Sequence, residues 1–200
     1  MRYTGSIYRK SRKLGFSLLE SNKEFSKGKK RTTRPGQHGA KRTKLTNYGL
    51  QLNEKQKLMF LYGMNDRQFR RFFIIAKKQK GATTLNLLRV LESRLDSLVY
   101  RAALAPTRRS ARQLVTHGHV LVNGKKVNIP SIILNVGDKI SIEEKSKSLS
   151  LIADVKNSPA DFMNLDKANL SAEFARVPER EELPEGINES HVIEWFNRFL

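Results

Sequence analysis

The stretch LESRLDSLVYRAALAPTRRSARQLVTHGHVLVNGKKVNIPSIILNVGDKISI, residues 91–142, constrains the fold more than any other part of the chain. From Leu88 to Ala102 the apolar residues recur at a helical period, about 100° per residue, with Leu88, Leu91, Leu95, Leu98, Val99 and Ala102 on one face. Pro106 stops continuation, and the Thr107 hydroxyl is placed to cap a second helix. Gly118 can end that helix in the left-handed conformation. On its wheel Ala111, Leu114 and Val115 lie to one side, and Arg108, Arg109, Arg112 and Gln113 to the other. The first turn of a helix is already positive by dipole, so Arg108 and Arg109 need an anion there, and phosphate would serve. A hairpin follows. Val120 and Val122 alternate with polar neighbours, Asn123-Gly124 suits a tight type I′ turn, and the turn presents Lys125 and Lys126. A second turn over 135–138 returns the chain into Lys139-Ile-Ser-Ile142.

Charge then narrows the class of partner. The formal net charge of +19 points to a polyanion. It is unevenly placed: net +12 over residues 1–45, +7 over 46–90, +5 over 91–150 and −5 over 151–200. The absence of cysteine excludes disulfides and thiolate zinc sites, and no apolar run of membrane-spanning length occurs. The start MRYTGSIYRKSRKLG lacks the apolar core of a secretory signal, and Gly5 and Gly15 argue against a cleaved transit leader.

Residues 1–45 hold few aliphatic side chains and clusters such as Lys27-Gly-Lys-Lys-Arg31, so they are expected to stay an extended basic arm until a partner arrives. Within them Arg34-Pro-Gly-Gln-His-Gly39 is turn-rich, allowing backbone to approach a phosphate closely. From Leu50 the pattern becomes helical. Asn53 is expected to cap a helix that Gly63 ends, and Asn65, with Gln68 three residues later, to cap the next, through about Lys80. There Phe69, Phe72, Phe73 and Ala76 oppose Arg67, Arg70, Arg71 and Lys78; the aromatics read as core and the arginines as a phosphate-facing surface. A strand is expected over 150–155, and residues 162–177 are expected to cover the small sheet. PEREELPEG is a connection, and Asn188 caps a last helix whose Val192, Trp195, Phe196 and Phe199 need an apolar partner, best supplied by residues 50–80.

The string RLDSLVYRAALAPTRRSARQLVTHGHVLVNGKKVNIPS resembles the RNA-binding domain named after small-subunit ribosomal protein four. MRYTG, RPGQHGAKRTKLTNYGLQLNEKQKLMFLYGMNDRQFRRFF and EFARVPEREELPEGINESHVIEWF surround it in the order found in the bacterial-type small-subunit ribosomal protein four family. The expected architecture is α+β. A mainly helical domain (46–90 and 178–200) carries an inserted small α+β RNA-binding domain (91–177, core 91–142) of two helices and a small antiparallel sheet, with a basic extended N-terminal arm (1–45). The resemblance implies a structural protein that binds the 5′ domain of small-subunit rRNA early and nucleates assembly of the subunit body. It also implies a place beside small-subunit protein five near the mRNA entry path, where decoding accuracy is affected. The implied location is the ribosome in the cytoplasm, in a bacterial or organellar setting. No metal, cofactor, small-molecule substrate or membrane is implied.

The expected rRNA contacts are Arg2, Arg9, Lys10, Arg12, Lys13, Lys29, Lys30, Arg31, Arg34, His38, Lys41, Arg42 and Lys44 from the arm. Lys55, Lys57, Arg67, Arg70 and Arg71 belong to the helical domain; Thr107, Arg108, Arg109, Arg112, Gln113, His117, His119, Lys125 and Lys126 belong to the inserted one. Two other classes are weaker. The same domain is attached to rRNA pseudouridine synthases and some tRNA synthetases, but no P-loop, Gly-x-Ser-x-Gly motif or metal-spaced cluster accompanies it here. Asp96 reads as helix surface or an ion-pair partner, not a catalytic acid, and His117 with His119 lack a third metal ligand. The Arg108 helix in a DNA major groove is the remaining alternative.

Overall fold

The computed structural model describes residues 3–22, 25, 32–41, 44–149, 152, 155 and 157–199. The chain forms two compact units, residues 1–84 with 184–200, and residues 85–183.

In the first unit α1 (Ile7–Leu14) is capped by the Ser6 hydroxyl and ended by Gly15 at φ 63°. The extended arm expected over 1–45 is therefore helical in this part. Ile7, Ser11 and Leu14 fall on one buried stripe, with Leu18 buried after them. The stripe is short, and the lysine-rich composition of the whole segment hides it. α2 (Asn47–Leu61) begins six residues before the expected cap, because Thr46 accepts the Gly49 N–H. Asn53 lies inside the helix. Its buried stripe, Gln51, Lys55, Leu58 and Leu61, starts with two polar residues, so hydrophobic periodicity understates it. α3 (Asp66–Lys78) starts where expected: Asn65 Oδ1 accepts the Gln68 N–H at 2.8 Å. Phe69, Phe72, Phe73 and Ala76 are buried. The last helix, α7 (Glu189–Phe199), meets them: the Phe196 ring stacks on Phe73 at 4.3 Å and stands edge-on to Phe69 at 5.4 Å. Asn188 Oδ1 accepts the His191 N–H at 3.4 Å, and the Asn188 N–H is donated to Glu54 at 3.0 Å. The side chain of Phe199 lies outside the described residues.

The second unit takes all but the first two residues of α4 (Thr83–Glu92), then α5 (Leu95–Arg101), α6 (Arg108–Thr116) and five strands. The single helix expected from Leu88 to Ala102 is broken at Ser93-Arg94. Here the backbone turns aside to pair with another segment: Arg94 bridges Ile133, the Leu95 N–H reaches Ile132 O at 2.8 Å, and Ser93 O accepts Leu134 N–H at 2.9 Å. β1 (Val120–Val122), β2 (Lys125–Lys126), β3 (Lys139–Ile142), β4 (Met163–Asp166) and β5 (Ser171–Phe174) form one antiparallel sheet in the order β2-β1-β3-β5-β4. Residues 162–177 thus extend the sheet where a cover was expected. The strand expected over 150–155 lies mostly outside the described residues: of that segment only Ile152 and Val155 are described, and Ile152 is helical and buried. Helices with an antiparallel sheet make the fold α+β.

The core of this unit gathers Leu95, Leu98, Val99, Ala111, Leu114 and Val115 from the helices against Val120, Ile140, Ile142, Ala172 and Phe174 from the sheet. Asn123 (φ 50°) and Gly124 (φ 78°) both have the positive φ of a type I′ turn. Gly118 takes φ 74° after α6. Thr107 Oγ1 accepts the Ser110 N–H at 3.1 Å while Ser110 Oγ accepts the Thr107 N–H at 3.0 Å, a reciprocal cap. Thr107→Ala removes half of it, and the expected loss is about 1 kcal/mol of unfolding free energy in a denaturant titration.

Candidate nucleic-acid interface

The three faces of α6 set the chemistry of the second unit. One face is core. A second carries Arg108 and Arg112, whose side chains are only 10% and 16% exposed. Arg108 Nη2 donates to Glu92 Oε1 at 2.9 Å and its guanidinium lies 4.8 Å from the centre of the Tyr100 ring. Arg112 Nη1 donates to Asp96 Oδ2 at 2.9 Å. For Arg108 and Arg112 the anion is thus a protein carboxylate, and the fold engages these two in internal ion pairs where phosphate contacts were expected. The ion-pair reading of Asp96 is the one the structure gives. The third face, Arg109, Gln113, Thr116 and His117, is exposed. Arg109 sits on it, one residue and about 100° around the helix from Arg108.

The hairpin continues that surface. Lys126 and Lys125 are exposed, and a Cβ added to Gly118 would lie 2.8 Å from Lys126 Cε, so Lys126 crosses the end of α6. Lys126 also donates to Glu143 at 3.1 Å, an exposed pair of small energetic weight. His119 is half-buried and engaged with Ser146 Oγ at 2.8 Å, which makes it structural, whereas His117 faces solvent. Thr107 serves as the helix cap. Arg109, Gln113, His117, Lys125 and Lys126 are the predicted contacts that the fold leaves available together.

In the first unit Arg67, Arg70 and Arg71 are exposed along α3, and Lys77 and Lys78 carry the same surface on past Ile74. Lys77 was missing from the expected set, although its spacing of seven residues from Arg70, about two helical turns, keeps it on that face. The α3 aromatics are buried, so this helix offers cations and no stacking platform. Lys55 is corrected to a structural role: its side chain is 9% exposed, 2.5 Å from Asp66 and 4.8 Å from the centre of the Trp195 ring. Lys57 likewise pairs with Glu54 at 2.7 Å and donates to Gly186 O.

Arg9 and Lys13 point outward from α1, Arg12 is half-buried, and Lys10 lies 4.9 Å from the ring centres of both Tyr3 and Phe60. Arg34, His38, Lys41 and Lys44 are exposed in irregular backbone. A Cβ on Gly39 would fall 1.8 Å from Arg34 O, so the tight turn after Arg34 requires glycine there. Arg2, Lys29, Lys30, Arg31 and Arg42 lie outside the described residues.

Two carboxylates away from these surfaces are held in their charged form. Glu182 is held below the usual carboxylate range by its hydrogen bond with Arg176, despite partial desolvation, and it also accepts the Glu179 N–H. Asp166 is lowered by the Asn169 side chain. Among the described residues no cluster of three or more metal-ligating side chains occurs, and no helix is long and apolar enough to cross a membrane.

Residues 2–92 match the family described as Ribosomal protein S4/S9 N-terminal domain, and residues 93–140 match the S4 domain. The chain is 66% identical to small ribosomal subunit protein uS4 of Ureaplasma urealyticum over 200 residues, covering 100% of this chain and 99% of the relative. The chain belongs to the uS4 family. The uS4 proteins of Malacoplasma penetrans, 60% identical over 100% of this chain and 99% of the relative, and of Mycoplasma pneumoniae, 52% identical over the full length of both, extend the likeness. As a uS4-family member the chain is a structural, non-enzymatic protein of the small ribosomal subunit. The two surfaces of α3 and α6 are then surfaces of a uS4 protein, and their cations carry no catalytic duty.

Proposed function

We propose that this uS4-family chain binds the 5′ domain of small-subunit rRNA early and nucleates assembly of the subunit body. The observation that carries the reading is the presence of one exposed cationic surface in each unit: Arg67, Arg70 and Arg71 on α3, and Arg109 with Lys125 and Lys126 on α6 and the hairpin. The unit of residues 85–183 acts as an RNA-binding insertion in the helical one, and the cations of residues 1–45 order along the RNA. Two cationic surfaces holding different RNA helices lower the free energy of the compact junction relative to its open forms. Phosphate contacts supply affinity, and the shape of the folded junction supplies choice. In the assembled subunit of a bacterial cytoplasm the chain lies beside protein five, near the mRNA entry path, and contributes to decoding accuracy there.

The test is binding of the purified chain to a transcript of the rRNA 5′ domain across a salt series, beside an unrelated structured RNA of equal length. The expected result is a preference for the rRNA domain of at least about a thousandfold, the lower range for specific over non-specific sites, that survives at high salt. Equal affinities that fall together would mean that charge alone explains binding and would remove the assembly role.

A further inference from the structure

Two buried carboxylates in the second unit have no place in a phosphate-binding surface, yet both hold arginines of the helix that carries it. Glu92, at the end of α4, is 0% exposed. It accepts Arg101 through Nε and Nη2, both at 3.0 Å, and Arg108 Nη2 at 2.9 Å. Asp96, in the first turn of α5, is 5% exposed. It accepts the wholly buried Arg94 at 3.0 and 2.6 Å and Arg112 at 2.9 Å. Arg108 and Arg112 are one helical turn apart, so the two carboxylates grip α6 at two successive points of one stripe. A helix held at its apolar face and at a second stripe has its rotation about its own axis fixed. Arg109, Gln113 and His117 are thereby turned outward.

Resting on the rRNA-binding reading, we infer that Glu92 and Asp96 are positioning residues for RNA recognition by α6, with Arg108 and Arg112 as their inward-facing handles and Arg109 as the phosphate contact. Sequence alone makes the three arginines equivalent cations on one polar face. The geometry divides them by task.

Salt-dependent binding of the full chain to the rRNA 5′ domain transcript separates the roles. Arg109→Gln is expected to weaken binding about fivefold and to reduce the slope of log affinity against log salt by about 1, the signature of one phosphate contact removed. In the Arg109→Gln background, Arg108→Gln is expected to leave the slope without further reduction, because the Arg108 side chain is directed at Glu92 and acts on the RNA only through the placement of residue 109. A further slope reduction of about 1 on adding Arg108→Gln to Arg109→Gln overturns the division of roles.

The positioning role has its own readout. In a Glu92→Gln background, Arg109→Gln is expected to cost less than about twofold, since α6 no longer holds residue 109 in place. A purely stabilising Glu92 leaves the cost of Arg109→Gln at its wild-type value, and that result overturns the positioning role. Asp96→Asn supplies the same cycle if Glu92→Gln does not fold. A wild-type chain without preference for the rRNA domain is a distinct outcome: it overturns the RNA-binding reading itself.

Discussion

Replacing Glu92 by alanine is expected to lower the unfolding free energy by about 3–5 kcal/mol, the range for removing one partner of a buried ion pair. Glu92 is fully buried and accepts two guanidinium groups, whose side chains are 19% and 10% exposed for Arg101 and Arg108. Without the carboxylate both cations keep most of their desolvation and lose the anion that offsets it. Arg108 bears the larger effect, because it also sits in the positive first turn of α6. Hydrogen exchange of the α6 amides, with a denaturant titration of the whole chain, measures the loss where it arises. Glu143→Ala is the control. It removes the partner of Lys126 in a pair whose side chains are 57% and 30% exposed, and its expected cost is under about 1 kcal/mol. If Glu92→Ala costs no more than Glu143→Ala, the arginines reach water readily and the ion pairs are incidental to the fold.

The same arginines show where sequence reasoning reaches and where it stops. Most signals whose partners lie within a few residues were legible: the Thr107 cap answered by Ser110, the Asn65 cap answered by Gln68, the positive φ values of Asn123-Gly124 and the Asn188 cap all follow from local chemistry, the Thr46 cap of α2 being the exception. The aromatic face of α3 also announced a partner, and Phe196 meets it. Features settled by distant residues were not legible. No glycine or proline marks the break at Ser93-Arg94; Ile132, Ile133 and Leu134 impose it from nearly forty residues away. A helical wheel separates a polar side from an apolar one, yet it cannot say which polar residues meet a buried carboxylate. Glu92 was invisible in that role because a glutamate at the end of an amphipathic helix ordinarily faces water. β4 and β5 were missed as strands because MNLD and SAEF, though each alternates, are only four residues long, too short to set a strand apart from a covering loop.

Substituting Arg67, Arg70 and Arg71 together by glutamine is expected to weaken binding to the rRNA 5′ domain about 100-fold near physiological salt and to reduce the salt slope by about 2–3. All three side chains are exposed on α3, and the buried Phe69, Phe72, Phe73 and Ala76 stay as they are. Stability should therefore move by no more than about 0.5 kcal/mol for each exposed substitution. The form of the loss is as informative as its size. Fewer counterions are released by the variant, so its deficit against wild type should widen at low salt and narrow at high salt. Preference for the rRNA domain over an unrelated RNA should stay nearly constant, because phosphate contacts position the protein without choosing sequence. A variant that keeps its slope would show that the α3 arginines face solvent in the complex. A variant that keeps its affinity but loses its preference would be the more instructive failure. It would mean that α3 reads the shape of the junction, leaving affinity to the α6 surface and the basic N-terminal residues.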